Sequence, residues 1–326
     1  MEAGSGRNHI MPWGKTRFTL AGVLAAALAV PGGASAAQAA AGGVRDADCR
    51  GARAMERSCL PARHTASVYP TATEGPGALW RAIYDPATVC RGGLFDSGGL
   101  DACRLGVDPA GARRQVAIIG DSHSAHWRPG VDFVARKRGW SVVSIYVSGC
   151  DFTALARYRG NNPPRCREMR SAVPGWLAAN PSIDTVIFSQ VSRQGPDERQ
   201  GYLRAWAGMP QTVKNVVVIS DNPHAGGPAV LNCIEAAQRK GRLPGVACAK
   251  PRRAVLHEDA ALQAARSGPA GGRSWFPVDV SDRFCDDRRC YPVIGGLLVY
   301  GWLQHQAPAF NRSLGPYLDA RLPSGL

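Results

Sequence analysis

Beyond residue 40 the chain has no apolar run of the ~20 residues that a membrane-spanning helix needs, so no later segment reads as a transmembrane helix. Lysine is scarce. Only five of the 39 basic residues are lysine, and arginine carries most of the net charge of +14. Such a surface suits anionic glycans or a wall polymer, although a compositional bias toward arginine accounts for it more simply. Nothing matches a nucleic-acid-binding motif, and there is no internal repeat. Cys-x-x-Cys clusters and close Cys/His groupings are missing, which speaks against a structural metal site. No cofactor is expected.

What is present begins with a basic start and an apolar run. Arg7, Lys15 and Arg17 precede FTLAGVLAAALAV, Phe18 to Val30. Small residues follow, and both Ala34-Ser35-Ala36 and Ala37-Gln38-Ala39 fit a small-x-small cleavage site. Residues 1–36 therefore read as a secretory signal peptide, with Met11 as a second possible start. The competing reading is a membrane anchor, for which the run is short. Export makes the ten cysteines a disulfide set. They lie as sequence neighbours, which predicts the pairs Cys49–Cys59, Cys90–Cys103, Cys150–Cys166, Cys233–Cys248 and Cys285–Cys290.

The remaining length, with 45% hydrophobic residues, suits one large domain with an accessory segment. Residues 37–110 hold four cysteines and little periodicity, and read as an irregular, Cys-rich lead-in. From residue 111 short apolar runs alternate with longer mixed stretches. Strands are predicted over 115–119, 141–147, 185–189, 215–220 and 275–280. Runs this short and apolar fit strands buried on both faces. Helices are predicted over 124–138, 167–179, 197–207, 253–266 and 308–321. The alternation predicts an α/β fold, a three-layer α/β/α sandwich around a five-stranded parallel sheet.

Ligands in such sheets bind at the carboxyl ends of the strands. The first strand ends in Ile119-Gly120-Asp121-Ser122-His123. Gly120 permits a tight turn, and Ser122 stands where a nucleophile belongs. A plain helix cap explains Ser122 equally well. A serine nucleophile needs a base, and His305, in the loop before the last helix, falls at the same end of the sheet. His123 and His126 lie too near Ser122 in sequence, and are expected to pack or hydrogen-bond inside a helix. His257 reads as a solvated helix residue.

The block Val116 to Trp127, VAIIGDSHSAHW, resembles the first block of SGNH hydrolases. It is most like the soluble SGNH domain fused to bacterial membrane O-acyltransferases that modify surface polysaccharides. Ser148-Gly149-Cys150, Asp221-Asn222-Pro223, Phe284-Cys285 through Cys290, Val293 to Gly296, Val299-Tyr300 and His305 extend the resemblance in order, from roughly Cys59 to the end. It implies a flavodoxin-like SGNH fold in which Ser122 attacks an acyl ester and His305 is base, then acid. It also implies oxyanion donors at the Ser122 and Gly149 N–H groups, with Gly120 and Asp121 in support.

Two positions depart from the pattern. Ser189-Gln190-Val191-Ser192 stands where the family has an asparagine, leaving Gln190 as a weaker donor. Three residues before His305 stands Trp302, not aspartate. A triad acid fixes the imidazole tautomer, and its loss can cost ~10⁴ in rate. A backbone carbonyl, or Asp279 or Asp282, would have to replace it. The expected function is a secreted serine esterase or acyltransferase for O-acyl, in particular O-acetyl, esters of glycans. As a transferase it needs a separate membrane acyltransferase as acyl donor. The alternatives are a catalytically degenerate module that binds glycan, and a lipase-like esterase, for which no apolar lid is seen.

Overall fold

The computed structural model describes residues 49–75, 77, 89–92, 101–155, 163–268 and 271–326. The stretch 1–36, expected to be a signal peptide, lies outside them. The sheet strands are β1 (Val89–Gly92), β2 (Asp101–Gly106), β3 (Arg114–Gly120), β4 (Trp140–Tyr146), β5 (Ile183–Phe188), β6 (Asn215–Ile219) and β7 (Ser274–Val278). Their order across the sheet is β1-β2-β4-β3-β5-β6-β7. The last five in that order run parallel. These are the five strands predicted from the apolar runs.

The sheet is larger than that expectation. β1 and β2 pair antiparallel with each other, and β2 pairs antiparallel with β4. The result is a mixed seven-stranded sheet. The added pair comes from the segment read as irregular lead-in. Its sequence is short and rich in Gly and Cys, so no alternation announces it, and pairing to β4 supplies the order that local propensity does not.

Both sheet faces are covered. Val116, Ile118, Val142, Ile187 and Val217 point into one core. Ala117, Ile119, Val143, Ile145, Val186 and Phe188 point into the other. That two-sided burial is why these strands read as unbroken apolar runs. Among the described residues, the α-helices of five residues or more are α1 (Ser122–His126), α2 (Arg128–Arg138), α3 (Pro163–Ala179), α4 (Pro196–Ala207), α5 (Pro228–Arg239), α6 (Ala260–Arg266), α7 (Pro308–Ser313) and α8 (Gly315–Arg321).

Three predicted helices are split, and proline explains two of the breaks. Pro129 has no N–H for the Ala125 carbonyl, and the chain turns at Trp127 between α1 and α2. Pro316 has none for the Arg312 carbonyl, which separates α7 from α8. The segment predicted over 253–266 breaks before Asp259, whose carboxylate caps α6 by accepting from the Ala261 and Leu262 N–H groups. Exposed His257 therefore sits in a break and not on a helix. Helix α5 was not anticipated. Its Val230, Leu231 and Ile234 pack with Val68, Val293 and Leu298 in a third cluster.

Disulfides join Cys49 to Cys59, Cys150 to Cys166, Cys233 to Cys248 and Cys285 to Cys290. Cys90 and Cys103 are register partners across β1 and β2, and Cys103 is disulfide-bonded. The side chain of Cys90 lies outside the description. Among the described residues no cysteine is free.

Candidate active site

The order β4-β3-β5 puts the chain's reversal of direction across the sheet at β3, which is where α/β sheets open a crevice. Gly120 ends that strand. A side chain there would stand 2.0 Å from the Ser189 carbonyl oxygen, so glycine lets β3 and the end of β5 close on each other. The requirement is close approach, not an unusual turn conformation.

Asp121, not Ser122, caps α1. Its Oδ1 accepts from the His123 N–H at 2.8 Å, and its Oδ2 accepts from the Val191 N–H at 3.1 Å. The Ser122 hydroxyl is thereby left for other work, and it lies 2.8 Å from His305 Nε2. The two residues meet across a separation of 183 positions. His305 stands on a small hairpin of β8 (Tyr300–Trp302) and β9 (His305–Gln306).

The other ring nitrogen, Nδ1, lies 3.3 Å from the Trp302 carbonyl oxygen. With that carbonyl accepting, the proton sits on Nδ1 and Nε2 faces Ser122 as a free base. Asp279 and Asp282 do not take this place. Asp279 pairs with Arg266, and Asp282 with Arg283 and Arg321. Burial, and then the charge of His123, hold the His305 pKa down at about 4.

The loop after β4 is stitched beneath this corner. The Val147 N–H donates to the Gly120 carbonyl, and the Cys150 N–H to the Val147 carbonyl. Gly149 sits in the turn with φ of 71°, a conformation that favours glycine. Asp151 anchors the same loop to the segment after β5 through Arg193 Nε at 2.7 Å. Among the described residues neither the Ser122 N–H nor the Gly149 N–H has a protein acceptor. Gln190 is buried and its Oε1 accepts from the Phe152 N–H at 2.8 Å. That bond fixes the amide orientation, and Nε2 is left buried without a partner among the described residues.

Sequence reading missed the network behind the histidine. His123 Nδ1 lies 2.5 Å from Asp221 Oδ1, and both side chains are buried. Asp221 also accepts from the Ser192 and Asn222 N–H groups at 2.7 and 2.8 Å, and lies 2.8 Å from His224 Nε2. Burial opposes charge on His123, but the Asp221 carboxylate outweighs it and holds the pKa up at about 9. The His123 ring centroid is 5.0 Å from that of His305. His123 thus does hydrogen-bond, as expected, but as half of a buried ion pair. Its one sequence signal is that positions 123 and 221 both follow ends of parallel strands.

His126 completes a polar chain. Its Nε2 accepts from the Gln306 amide at 2.9 Å, Gln306 also donates to Asn222 Oδ1 at 3.1 Å, and Asn311 donates to Gln306 Oε1 at 2.7 Å. His123, His126 and Asp221 bring three possible metal donor atoms within 4.8 Å of one another. The His123 and Asp221 donors are already spent on each other.

A mostly parallel sheet with a serine at the tip of a central strand, and a histidine delivered by the last loop, defines a serine–histidine α/β protein. The family model described as "SGNH domain (fused to AT3 domains)" matches residues 89–320. The chain belongs to this SGNH family. Among solved structures, it is similar to the periplasmic domain of a lipopolysaccharide acetyltransferase from Salmonella ser. Paratyphi A. That likeness has 10% identity and a TM-score of 0.49, over 64% of this chain and 87% of that one. It is also similar to a poly(3-hydroxybutyrate) depolymerase from Bordetella parapertussis, at 14% identity and a TM-score of 0.32, over 76% and 96%. A search of curated proteins finds no match. The assignment rests on the family match, and fold alone does not fix an activity.

Proposed function

We propose that the protein is an extracytoplasmic serine enzyme that cleaves or transfers O-acyl groups, in particular O-acetyl, on glycans. The observation that carries this reading is the Ser122 Oγ to His305 Nε2 contact of 2.8 Å, with Nδ1 held by a main-chain carbonyl. Ser122 Oγ attacks the ester carbonyl carbon while His305 Nε2 takes its proton. The new oxyanion is met by the N–H groups of Ser122 and Gly149, with Gln190 Nε2 as a third donor. The C–O bond then breaks, the leaving alcohol takes the proton from His305, and an acyl-Ser122 ester remains. Water or a sugar hydroxyl, deprotonated by the same imidazole, attacks that ester and frees the serine.

The Trp302 carbonyl performs one of the two tasks of a triad acid. It fixes the tautomer, but being neutral it stabilises the imidazolium less. Family members fused to AT3 domains support a membrane acyltransferase as donor for the transfer branch. Four described disulfides support an oxidising compartment. The second reading is a degenerate glycan-binding module, motivated by Trp302 in place of the acid.

One assay separates them. Purified protein is tested for p-nitrophenyl acetate hydrolysis beside Ser122→Ala and His305→Ala. Turnover that drops at least ~10³-fold in each variant is expected. Equal, background rates in all three proteins would end the enzymatic reading.

A further inference from the structure

We propose that Trp302 is a stacking platform for the sugar ring that bears the acyl ester, which makes it a specificity-determining residue. The inference rests on the reading of Ser122 and His305 as an acyl-ester centre. Trp302 and Leu303 stand side by side at the hairpin tip and are 37% and 41% exposed. Among the described residues, no aromatic ring or guanidinium stacks on the Trp302 indole. Trp302 is the register partner of His305 and touches its ring through the main chain. Register partners project their side chains from the same face of a hairpin, so the indole is placed on the face from which His305 reaches Ser122.

The tip is built and not merely exposed. Leu303 has φ of 48°, the left-handed region that residues with side chains rarely adopt. Two contacts hold it there. The Leu303 carbonyl is pressed onto Gly226, where a Cβ would stand 1.7 Å from its oxygen. The Gln304 carbonyl accepts from Asn222 Nδ2 at 2.8 Å. A backbone kept in an unfavourable conformation beside a reactive pair points to a use for that conformation, and here it fixes where the indole is presented.

Three features favour a pyranose over an acyl chain. The indole offers one flat apolar face, which matches the C–H face of a sugar ring. Half-buried Gln304 stands at the same tip, and half-buried Ser192 and His224 both bond Asp221, next in sequence to the Asn222 that holds Gln304; such polar groups suit ring hydroxyls. A long acyl chain needs an enclosed apolar channel, and the apolar cavity lined by Val131, Val134, Trp140 and Ile187 lies inside the core between α2 and the sheet. A large aromatic side chain is an effective anchor because it gives up much apolar surface at little entropic cost.

The test follows acid release in a pH-stat for the parent protein, Trp302→Ala and Trp302→Phe, with ethyl acetate, ethyl octanoate and an O-acetylated methyl glucopyranoside. The readout is the kcat/KM preference for the sugar ester over ethyl acetate. It should fall about tenfold in Trp302→Ala, mainly through KM, and recover in Trp302→Phe. An identical preference in all three proteins overturns the proposal. So does a selective loss on ethyl octanoate, which would make the indole an acyl-chain wall. If the parent protein hydrolyses no ester, the catalytic reading fails by itself. The platform is then decided by calorimetric titration of the same sugar ester and of acetylated xylan into Ser122→Ala, with and without Trp302→Ala. Binding lost with the indole supports it, and equal or absent binding overturns it.

Discussion

The main-chain carbonyl of Trp302 accepts from His305 Nδ1 at 3.3 Å, so the residue three places before the histidine orients the ring without supplying an acid. Ser122, His305 and this carbonyl form a line in which the histidine is the one ordinarily titratable side chain. What surrounds that imidazole then decides the working pH.

The groups facing His305 are His123, buried neutral His126, buried Asp221, the Ser122 hydroxyl and the Trp302 carbonyl. Burial and the His123 charge keep its pKa at about 4. The free base is the active form, so kcat/KM should be level above that value and fall as pH drops through about 4. His123→Gln removes the nearby positive charge and should move the acid limb upward, toward the 6.5 of an ordinary imidazole. A pH–rate profile with an acid limb near 6.5 in the parent protein would contradict this.

Gln190→Ala removes the buried amide whose Nε2 has no partner among the described residues. Loss of one oxyanion donor costs roughly 10²–10³ in kcat, and a loss in that range with little change in KM is expected. Gln190→Glu keeps the size but replaces the donor by an acceptor, and should be no better than alanine. Unchanged kcat in both variants would remove Gln190 from the oxyanion site.

The parallel core was readable because its strands are buried on both faces. Val116 to Ile119 sends alternate residues into two separate cores, and the resulting unbroken apolar run is visible without any fold. Ser122 and His305 were readable for a related reason: one follows the first such run and the other precedes the last helix. The antiparallel pair Val89–Gly92 and Asp101–Gly106 was not, since its order comes from pairing with β4. The sequence carries only a faint signal that His123 meets Asp221 across 98 positions. That contact depends on two strand ends lying on the same edge of the molecule. A backbone carbonyl was among the expected replacements for the acid, but that it is the one of Trp302 was not legible, since every residue type has one.

Gly226 is the residue on which the hairpin tip depends. Gly226→Ala sets a Cβ against the Leu303 carbonyl at 1.7 Å, so the tip must move and take His305 with it. Overpacking of this kind costs typically ~1–3 kcal/mol, and kcat/KM should fall with it by at least about tenfold. Gly175→Ala is the control. It lies within helix α3 with nothing within 4 Å of the added carbon, and should be neutral or stabilising by ~0.4–1 kcal/mol. Equal melting temperatures and activities for the two variants would show that the tip is not clamped.

The His123–Asp221 pair makes a last prediction, about stability and not rate. The folded His123 pKa, about 9, is above the 6.5 of a free imidazole. A raised value means that the folded state holds the proton more tightly than the unfolded chain. The contribution is therefore fully present below 6.5 and is lost as pH rises through about 9. At 1.36 kcal/mol per pKa unit it is on the order of 3 kcal/mol. Urea unfolding of the parent protein and of His123→Gln reads it apart from the titrating groups that do not face this pair. The stability gap between the two proteins should be widest at pH 5.5 and shrink steadily toward pH 9.5. A gap that stays constant over this range would mean that His123 is not the charged half of the pair.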